Sequence, residues 1–505
     1  MVSPFCWGCL TPLRQTSRTI LPSPSTAVSR GPAFHTSAAL QFMGRASQGG
    51  KKGSTVLKFR QPASSTMKKK KKFVEKARPP PVGERKAIRK RIVLSNPNAL
   101  EVEGLQELSE ETMVDSRLRG TVLALPVPML DQLRAVQAFK PKQGWSIFRR
   151  PCTVLRRETL ELGRFFDGVT GDTEGGGAVI KKIVGGARKS GKSVHLLQAM
   201  AMGFIKKWVV FTIPEAQELV SATSSYAPLS EENPNLYVQN EATAALLSRT
   251  VAANKEVLSG LRVSHNHPTV PAAKPGMTLE DLAKTGVQDQ ASAWAVFQAL
   301  WTELTATGPA PGLEKHYTPR PPILVTVDGL GHWMTESQYR NAQFKLIHAH
   351  DLVFVRHFLS LLKPGQDKPT LPNGGALLYA TSTTNNPPYV YSLDVALKQV
   401  AARGAGVESS SPQFPQPEPY SKTDPRVFEV LESMKSKHAQ EGMLQHQILG
   451  GVTHDEARGF MEYFARSGLL QETISDEWVS EKWTLAGGGV IGELERIGKR
   501  LRIAA

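Results

Sequence analysis

The chain has 505 residues, enough for two or three domains, and its 40% hydrophobic and 21% charged residues are ordinary for a globular protein. No run of about 18 uncharged apolar residues occurs, so we expect no transmembrane helix and no membrane partner. The net charge of +17 is concentrated at one end, because residues 1–92 hold 20 Lys and Arg against two acids, while the remainder carries −1. A basic arm on a near-neutral body indicates targeting, contact with nucleic acid, or both.

Residues 1–45 have the composition of a mitochondrial transit peptide. They are rich in Ser, Thr and Ala, contain Arg14, Arg18, Arg30 and Arg45, and lack acidic residues altogether. A basic tail in a nuclear or cytosolic protein is the alternative. The acid-free, arginine-rich pattern favours import into the mitochondrial matrix.

The chain has three cysteines, Cys6, Cys9 and Cys152. The C-x-x-C spacing of the first two is that of a metal or redox pair, but no second pair accompanies it. With one cysteine in the body, we expect no disulfide framework and a reducing compartment.

Residues 46–92 form a second basic zone. Its positive charges are too dense to bury in a core, so we expect a disordered arm. Facing phosphates, such an arm binds RNA in a salt-dependent manner that is independent of sequence; a merely solvated tail is the alternative. The residues predicted to contact RNA are Lys68, Lys69, Lys70, Lys71, Lys72, Arg85, Arg89, Lys90 and Arg91.

Residues 93–408 are predicted to form an α/β core. A strand, a glycine-rich loop, an amphipathic helix and a buried strand follow one another, which is the order of a βαβ unit in a parallel sheet. The predicted strands are Lys181–Val184, Trp208–Ile213, Ile323–Val327 and Ala376–Ala380, and the first helix is Val194–Ile205. Thr278 and Asp281 are spaced as a capping pair that opens one helix continuing to Trp301, and Phe344–Leu362 is predicted as a long helix.

The last part of the chain changes in character. Residues 409–425, rich in Ser, Pro and Gln, are predicted to be a linker, and residues 426–505 a small helical or winged-helix-like module. Within the module, Thr453 and Glu456 form a capping box, and Gly468 ends the helix that follows.

The strongest chemical signal is the sequence from Gly186 to Ser193, which matches G-x-x-x-x-G-K-S/T in full. In such a P-loop the glycines let the backbone curl, so that successive N–H groups point at phosphates, the lysine reaches the terminal phosphates and the hydroxyl binds Mg²⁺. The positive end of the following helix faces the same phosphates. The predicted nucleotide-binding residues are Gly186, Ala187, Arg188, Lys189, Ser190, Gly191, Lys192, Ser193 and Val194.

A second half of the site is predicted at Asp328, which ends the buried strand Ile323–Val327. An apolar strand ending in Asp is typical of the acid that holds the Mg²⁺ shell, so the predicted metal residues are Ser193 and Asp328. Many P-loop enzymes place another acid next, to polarise the attacking water, but here the next residue is Gly329. No catalytic residue is therefore assigned, and we expect slow hydrolysis or none.

Two further features contain residue types that could bind phosphate or metal. Thr381 and Ser382 follow the predicted strand Ala376–Ala380, where a residue that senses the γ-phosphate would lie. The group His348, His350, Asp351 and His357 has the residue types of a metal site. Its spacing on a helix points the side chains in different directions, which favours packed or solvated histidines.

Several segments taken together resemble one family. They are the P-loop, Trp208 to Pro214, Leu236 to Asn240, Val325 to Gly329, and Val452 to Ala457. In this order they resemble the death-associated protein family, the GTP-binding component of the mitochondrial small ribosomal subunit. The resemblance covers residues 122–505, and its animal members have Thr where this chain has Ser193.

The resemblance implies a P-loop NTPase (AAA-like) core, with a parallel sheet flanked by helices and a C-terminal helical module. It implies a guanine nucleotide held by Gly191, Lys192, Ser193 and Asp328. It also implies contacts with small-subunit ribosomal RNA, with neighbouring ribosomal proteins and with the large subunit across the intersubunit face. No N-K-x-D motif, which would read the guanine base, is present. The residues themselves therefore do not decide whether the nucleotide is GTP or GDP, or instead ATP.

The predicted function is a structural component of the mitochondrial small ribosomal subunit that binds a guanine nucleotide and Mg²⁺ with little or no hydrolysis. The alternative is an active mitochondrial NTPase or GTPase that acts in ribosome assembly or protein remodelling.

Overall fold

The computed structural model describes residues 92–169, 177–382, 389–432 and 436–501. The predicted transit peptide, with Cys6 and Cys9, lies outside these ranges. So does the basic arm apart from Ile92, including all nine residues predicted to contact RNA.

The described chain contains both strands and helices, which alternate from β1 to β4. The strands are β1 (Val122–Ala124), β2 (Cys152–Val154), β3 (Val179–Gly186), β4 (Val209–Ile213), β5 (Ala227–Pro228), β6 (Tyr237–Val238), β7 (Ile323–Asp328), β8 (Glu336–Arg340), β9 (Leu346–His348), β10 (Gly375–Ala380) and β11 (Gln445–Leu449). The helices are α1 (Val127–Ala135), α2 (Arg157–Val169), α3 (Lys192–Ile205), α4 (Asn240–Ala253), α5 (Lys255–Gly260), α6 (Leu279–Gln288), α7 (Ala293–Leu304), α8 (Val353–Ser360), α9 (Tyr391–Gly404), α10 (Pro425–Val430), α11 (His454–Arg466), α12 (Asp476–Leu485) and α13 (Ile491–Leu501).

The centre of the fold is a five-stranded sheet in the order β11-β3-β10-β7-β4. All its pairings are parallel, and Gly375 of β10 lies in register between Val179 of β3 and Ile323 of β7. Strands β4, β7 and β10 are buried along their whole length, as expected where helices cover both faces of a parallel sheet. The predicted parallel sheet flanked by helices is confirmed.

The two faces of the sheet carry separate hydrophobic cores. Successive side chains of a strand point to opposite faces, so Val325 joins one core while Leu324 joins the other. The first core packs against α4 and α6 to α9, with Phe297 at its centre. The second packs against α1 to α3, where the ring of Phe166 stacks on that of Trp208 at 4.3 Å. Each fully buried large apolar side chain contributes about 1.5–3 kcal/mol to stability.

A buried ionic cluster fixes the chain ahead of β7, at the amino edge of the sheet. The Arg320 guanidinium lies 2.7 Å from the Glu303 carboxylate, and both side chains are fully buried. Burial alone would raise the pKa of Glu303, but hydrogen bonds from His267 and Ser264 outweigh that effect and lower its pKa to about 2. Because a buried charge is tolerated only when it is paired and hydrogen-bonded, the two side chains depend on one another.

The long helix predicted at Phe344–Leu362 is wrong in its first half. Residues 336–348 form the β8–β9 hairpin, a short 3₁₀ turn follows at Ala349–Asp351, and the α-helix spans only Val353–Ser360. The Asn341 side chain accepts hydrogen bonds from the backbone N–H groups of Gln343 and Lys345, which favours a turn over a helix. Phe344 has a positive φ of 60° in that turn, which a helix does not allow.

The single helix predicted from Thr278 to Trp301 is two helices. The predicted cap is confirmed, since the Thr278 hydroxyl accepts from the backbone N–H of Asp281. The chain then breaks at Asp289, whose carboxylate accepts from the N–H of Ala291 and starts a short 3₁₀ turn before α7. Local side-chain hydrogen bonds of this kind compete with the helix.

The predicted module 426–505 begins too early. Strand β11 pairs with β3 in the central sheet, so a separate helical cluster of α11 to α13 starts only near Val452. The predicted capping box of Thr453 and Glu456 is confirmed. Among the described residues no strand follows β11, so the cluster of α11 to α13 has no winged-helix-like strands.

No helix in the described ranges is long and apolar enough to cross a membrane.

Candidate nucleotide-binding site

The turn between β3 and α3 is built on two glycines in left-handed conformations. Gly186 has φ 132° and Gly191 has φ 98°, a region that side chains disfavour. A Cβ at Gly186 would lie 2.4 Å from the carbonyl oxygen of Leu449, so the space also excludes one. Ala187, Arg188 and Lys189 are exposed on the outside of the turn. The sequence therefore predicts where this chain must curl.

Lys192 is the first residue of α3, and its side chain reaches back across the turn. The ammonium donates hydrogen bonds of 2.7 Å to the carbonyl oxygens of Gly186 and Ala187. Burial lowers the pKa of Lys192, with Asp328 acting in the opposite direction. The N–H groups of the first turn of α3, from Lys192 to Val194, have no intrahelical acceptors, so the turn offers donors to an anion.

Ser193 and Asp328, the two predicted metal residues, meet across the carboxyl edge of the sheet. The Ser193 hydroxyl donates a 2.7 Å hydrogen bond to Asp328 Oδ2. The other carboxylate oxygen, Oδ1, is buried and has no partner among the described residues. Burial raises the pKa of Asp328, with Lys140 as the main opposing influence. A hydroxyl beside an unpartnered carboxylate oxygen is the kind of oxygen ligand set that suits Mg²⁺.

The residue after Asp328 is glycine because the backbone requires it. Gly329 has φ 100° and ψ 36°, and its N–H donates to the carbonyl of Ala380 at 2.9 Å. A Cβ there would lie 3.3 Å from Cδ2 of His332 and 3.6 Å from Cβ of Ala216. The position where many P-loop enzymes carry a second acid is thus a left-handed turn in this chain.

Thr381 and Ser382 follow β10, which lies between the P-loop strand and the strand of Asp328. The Thr381 N–H and hydroxyl both donate to the carbonyl of Val184, and Ser382 is buried. Both residues lie at the same edge as the predicted site, as the parallel order requires.

Two residues missed by sequence reasoning approach Asp328. Lys140 follows α1, and its ammonium lies 3.9 Å from Asp328 Oδ2 and 3.6 Å from Glu215 Oε1. It also donates to the carbonyl of Pro214. Glu215 could have been found, because it lies two residues past the end of a buried strand, at the edge where such sites form. Lys140 carries no sequence signal.

The turn from Gly186 to Ser193 is also contacted by Arg156, which precedes α2, and by the C-terminal helical cluster. The Arg156 guanidinium donates to the carbonyls of Ser190 and Gly450, at 2.9 and 3.0 Å. From the C-terminal cluster, the N–H of Gly492 donates to the carbonyl of Lys189 at 3.1 Å. The Lys189 ammonium in turn pairs with Glu493 at 2.8 Å, so the start of α13 forms one wall of the turn.

The histidine group does not come together as one site. His357 is buried among aromatic rings, 4.9 Å from Trp301 and 5.1 Å from Phe297. His348 and His350 contact each other, and His348 Nε2 lies 2.9 Å from Asp424. Within the described ranges no group of three or more His, Cys, Asp or Glu residues could hold a metal ion.

These features define an α/β protein in which a glycine-rich strand–turn–helix faces a buried Asp at the carboxyl edge of a parallel sheet. Residues 153–497 match the family model described as mitochondrial ribosomal death-associated protein 3. Over 500 residues the chain is 40% identical to the small ribosomal subunit protein mS29 of Neurospora crassa, with 97% of each chain covered. The chain therefore belongs to the mitochondrial ribosomal death-associated protein 3 family, as predicted from the sequence.

Proposed function

We propose that the chain is a structural protein of the mitochondrial small ribosomal subunit that holds a guanine nucleotide with Mg²⁺ and hydrolyses it slowly or not at all. The ribosomal part of this function follows from the family and from the name of the Neurospora crassa relative. The predicted location, the mitochondrial ribosome in the matrix, is confirmed by the same two findings. The nucleotide is the further step.

The observation that carries the nucleotide proposal is the meeting of Lys192, Ser193 and Asp328 at one edge of the sheet. In chain order Asp328 is far from the P-loop, yet its carboxylate accepts the Ser193 hydrogen bond at 2.7 Å. A lysine, a hydroxyl and a carboxylate beside a helix N-terminus are the groups that bind phosphate and Mg²⁺. When bound, Mg²⁺ would neutralise phosphate charge, and Ser193 and Asp328 would hold it.

The absence of turnover is proposed from Gly329. A P-loop enzyme needs a group that orients the attacking water, and the left-handed backbone at Gly329 disfavours any residue with a side chain. An active NTPase is therefore the less supported function. Nucleotide hydrolysis by the purified chain at ordinary enzymatic rates, about 1 per second or faster, would instead favour the NTPase function.

The partners proposed are small-subunit ribosomal RNA and neighbouring ribosomal proteins, with a contact to the large subunit. RNA contact is assigned to the basic arm, which lies outside the described residues. Because each phosphate contact releases counterions, removing the lysines at positions 68–72 should flatten the salt dependence of RNA binding.

The test of the nucleotide proposal is extraction. Small subunits purified from mitochondria should release about one guanine nucleotide per copy of the chain on denaturation, identified by chromatography. Lys192→Ala should abolish this, and it should lower the melting temperature, because a ligand at a hundredfold excess over its Kd stabilises the native state by about 2.7 kcal/mol. Lys207→Ala, on the exposed surface, is the matched control. Unchanged nucleotide content and melting in Lys192→Ala would contradict the proposal.

A further inference from the structure

Lys140 is a cation that the P-loop motif does not include, yet it lies beside the candidate metal residues. It follows α1 in the chain, and only 18% of its side chain is exposed. Its ammonium is surrounded by oxygens at the carboxyl edge of the sheet: the carbonyl of Pro214, Oε1 of Glu215 at 3.6 Å and Oδ2 of Asp328 at 3.9 Å.

The distances show that Lys140 is not committed to a close ion pair. Hydrogen bonds from N–H to O normally span about 2.7–3.2 Å, and both carboxylates lie beyond that range. The Pro214 carbonyl takes one of the three N–H donors of the ammonium. The remaining donors lie between Glu215 and Asp328, next to the oxygen that accepts from Ser193.

The position of this ammonium relates it to the phosphates. Lys192 reaches the site from the P-loop side, whereas Lys140 approaches the same Asp328 carboxylate from the end of β4. The N–H groups of the Gly186–Ser193 turn would hold the inner phosphates, and Ser193 and Asp328 would hold Mg²⁺. A cation that approaches Asp328 from the end of β4, and not from the Gly186–Ser193 turn, is therefore suited to the last phosphate and not to the inner ones.

We propose that Lys140 is a specificity-determining residue that binds the terminal phosphate of a nucleoside triphosphate, with Glu215 as its counter-charge. The proposal rests on the proposed nucleotide binding and assigns the site a preference between triphosphate and diphosphate. Lys140 attracts the additional phosphate charge and Glu215 repels it. The site thus senses the phosphate chain without needing a water-activating acid after Asp328.

The two side chains predict effects of opposite sign. A charge-assisted hydrogen bond to phosphate changes affinity by about tenfold or more, so Lys140→Met should lower the ratio of triphosphate to diphosphate affinity by about tenfold. Methionine retains the apolar stem of the lysine. Glu215→Gln should raise the ratio, because it removes the repulsion and preserves the shape. Lys140→Arg should largely restore the ratio.

The experiment uses the purified full chain, Mg²⁺, GDP and the β,γ-imido analogue of GTP, with affinities measured by titration calorimetry. Diphosphate affinity should stay within about twofold in every variant, since Lys140 is assigned to the last phosphate alone. Lys142→Met is the matched control, because Lys142 is exposed and lies two residues away, and its ratio should equal that of the native chain.

The outcomes separate this inference from the function on which it rests. A native chain that binds neither nucleotide contradicts the proposed function. A native chain that binds both, with an unchanged ratio in Lys140→Met or an equal loss of both affinities, overturns the role of Lys140. If Lys140→Met fails to fold by circular dichroism, Glu215→Gln decides: a ratio that does not rise overturns the proposal.

Discussion

Replacing Gly329 with glutamate would supply the second acid that this site lacks, and the structure predicts that the backbone opposes it. A side chain at φ 100° costs about 1–3 kcal/mol in strain. The added Cβ would also lie 3.3 Å from Cδ2 of His332, so the imidazole ring would have to shift slightly. The reduced entropy of the unfolded chain offsets about 0.4–1 kcal/mol of this. We therefore expect Gly329→Glu and Gly329→Ala to destabilise the protein by about 1–2 kcal/mol.

A second glycine separates strain from packing. Gly406 has φ 82°, and a Cβ there meets no atom within 4 Å, so Gly406→Ala reports the backbone term alone. Urea unfolding followed by tryptophan fluorescence should show a larger loss for Gly329→Ala than for Gly406→Ala. The rate of phosphate release from a nucleoside triphosphate should be no higher in Gly329→Glu than in the native chain. Native-like stability together with faster turnover in that variant would refute the argument that the backbone excludes the acid.

Two further predictions concern the buried ionic cluster at the amino edge of the sheet and the contact of α13 with the candidate site. Glu303→Gln should cost about 3–5 kcal/mol at pH 7, because it leaves the Arg320 charge buried without a partner. The difference in unfolding free energy between the native chain and Glu303→Gln should shrink as the pH falls from 4.5 towards about 2. The folded-state pKa of Glu303 is lowered, so its stabilisation is complete above the pKa of the unfolded chain and is lost when the carboxylate is protonated. A difference that stays constant with pH in urea titrations would contradict this. Gly492→Ala places a Cβ 2.7 Å from that of Lys189, and should weaken nucleotide binding by displacing α13, measured by titration. Gly404→Ala is the control, because a Cβ there meets no atom within 4 Å, and it should leave nucleotide affinity unchanged. Equal affinities in both variants would argue against a role of α13 in nucleotide binding.

The parts of the site that were predictable are those encoded locally. The motif from Gly186 to Ser193 is continuous in the sequence, and its two glycines occupy left-handed positions in the structure. Asp328 was found because a strand buried on both faces is a continuous apolar run, and the residue that ends it lies at the edge where parallel sheets form their sites. The pairing of Ser193 with Asp328 followed from these two facts and the parallel order.

The remaining parts depend on contacts between distant segments. Glu493 lies 304 residues beyond Lys189, and no local sequence pattern predicts that the two side chains pair. Lys140 is likewise placed by contacts with a distant segment, Pro214 and Glu215 after β4. The error at Phe344–Leu362 has a different origin, because the hydrogen bonds that the Asn341 side chain accepts outweighed the helical spacing of the apolar residues.

The contacts around the P-loop bear on why a nucleotide would be retained without turnover. Arg156 joins the carbonyl of Ser190 to that of Gly450, and Gly492 joins α13 to Lys189, so three distant parts of the chain meet on one turn. A ligand at that turn stabilises every contact that exists only in the native state. Release would require one of these walls to open, as lids do in enzymes limited by product release. In an enzyme such walls slow the catalytic cycle, whereas in a ribosomal subunit they would keep a bound nucleotide in place. The arrangement around Ser190 and Lys189 therefore favours a nucleotide that serves as part of the fold.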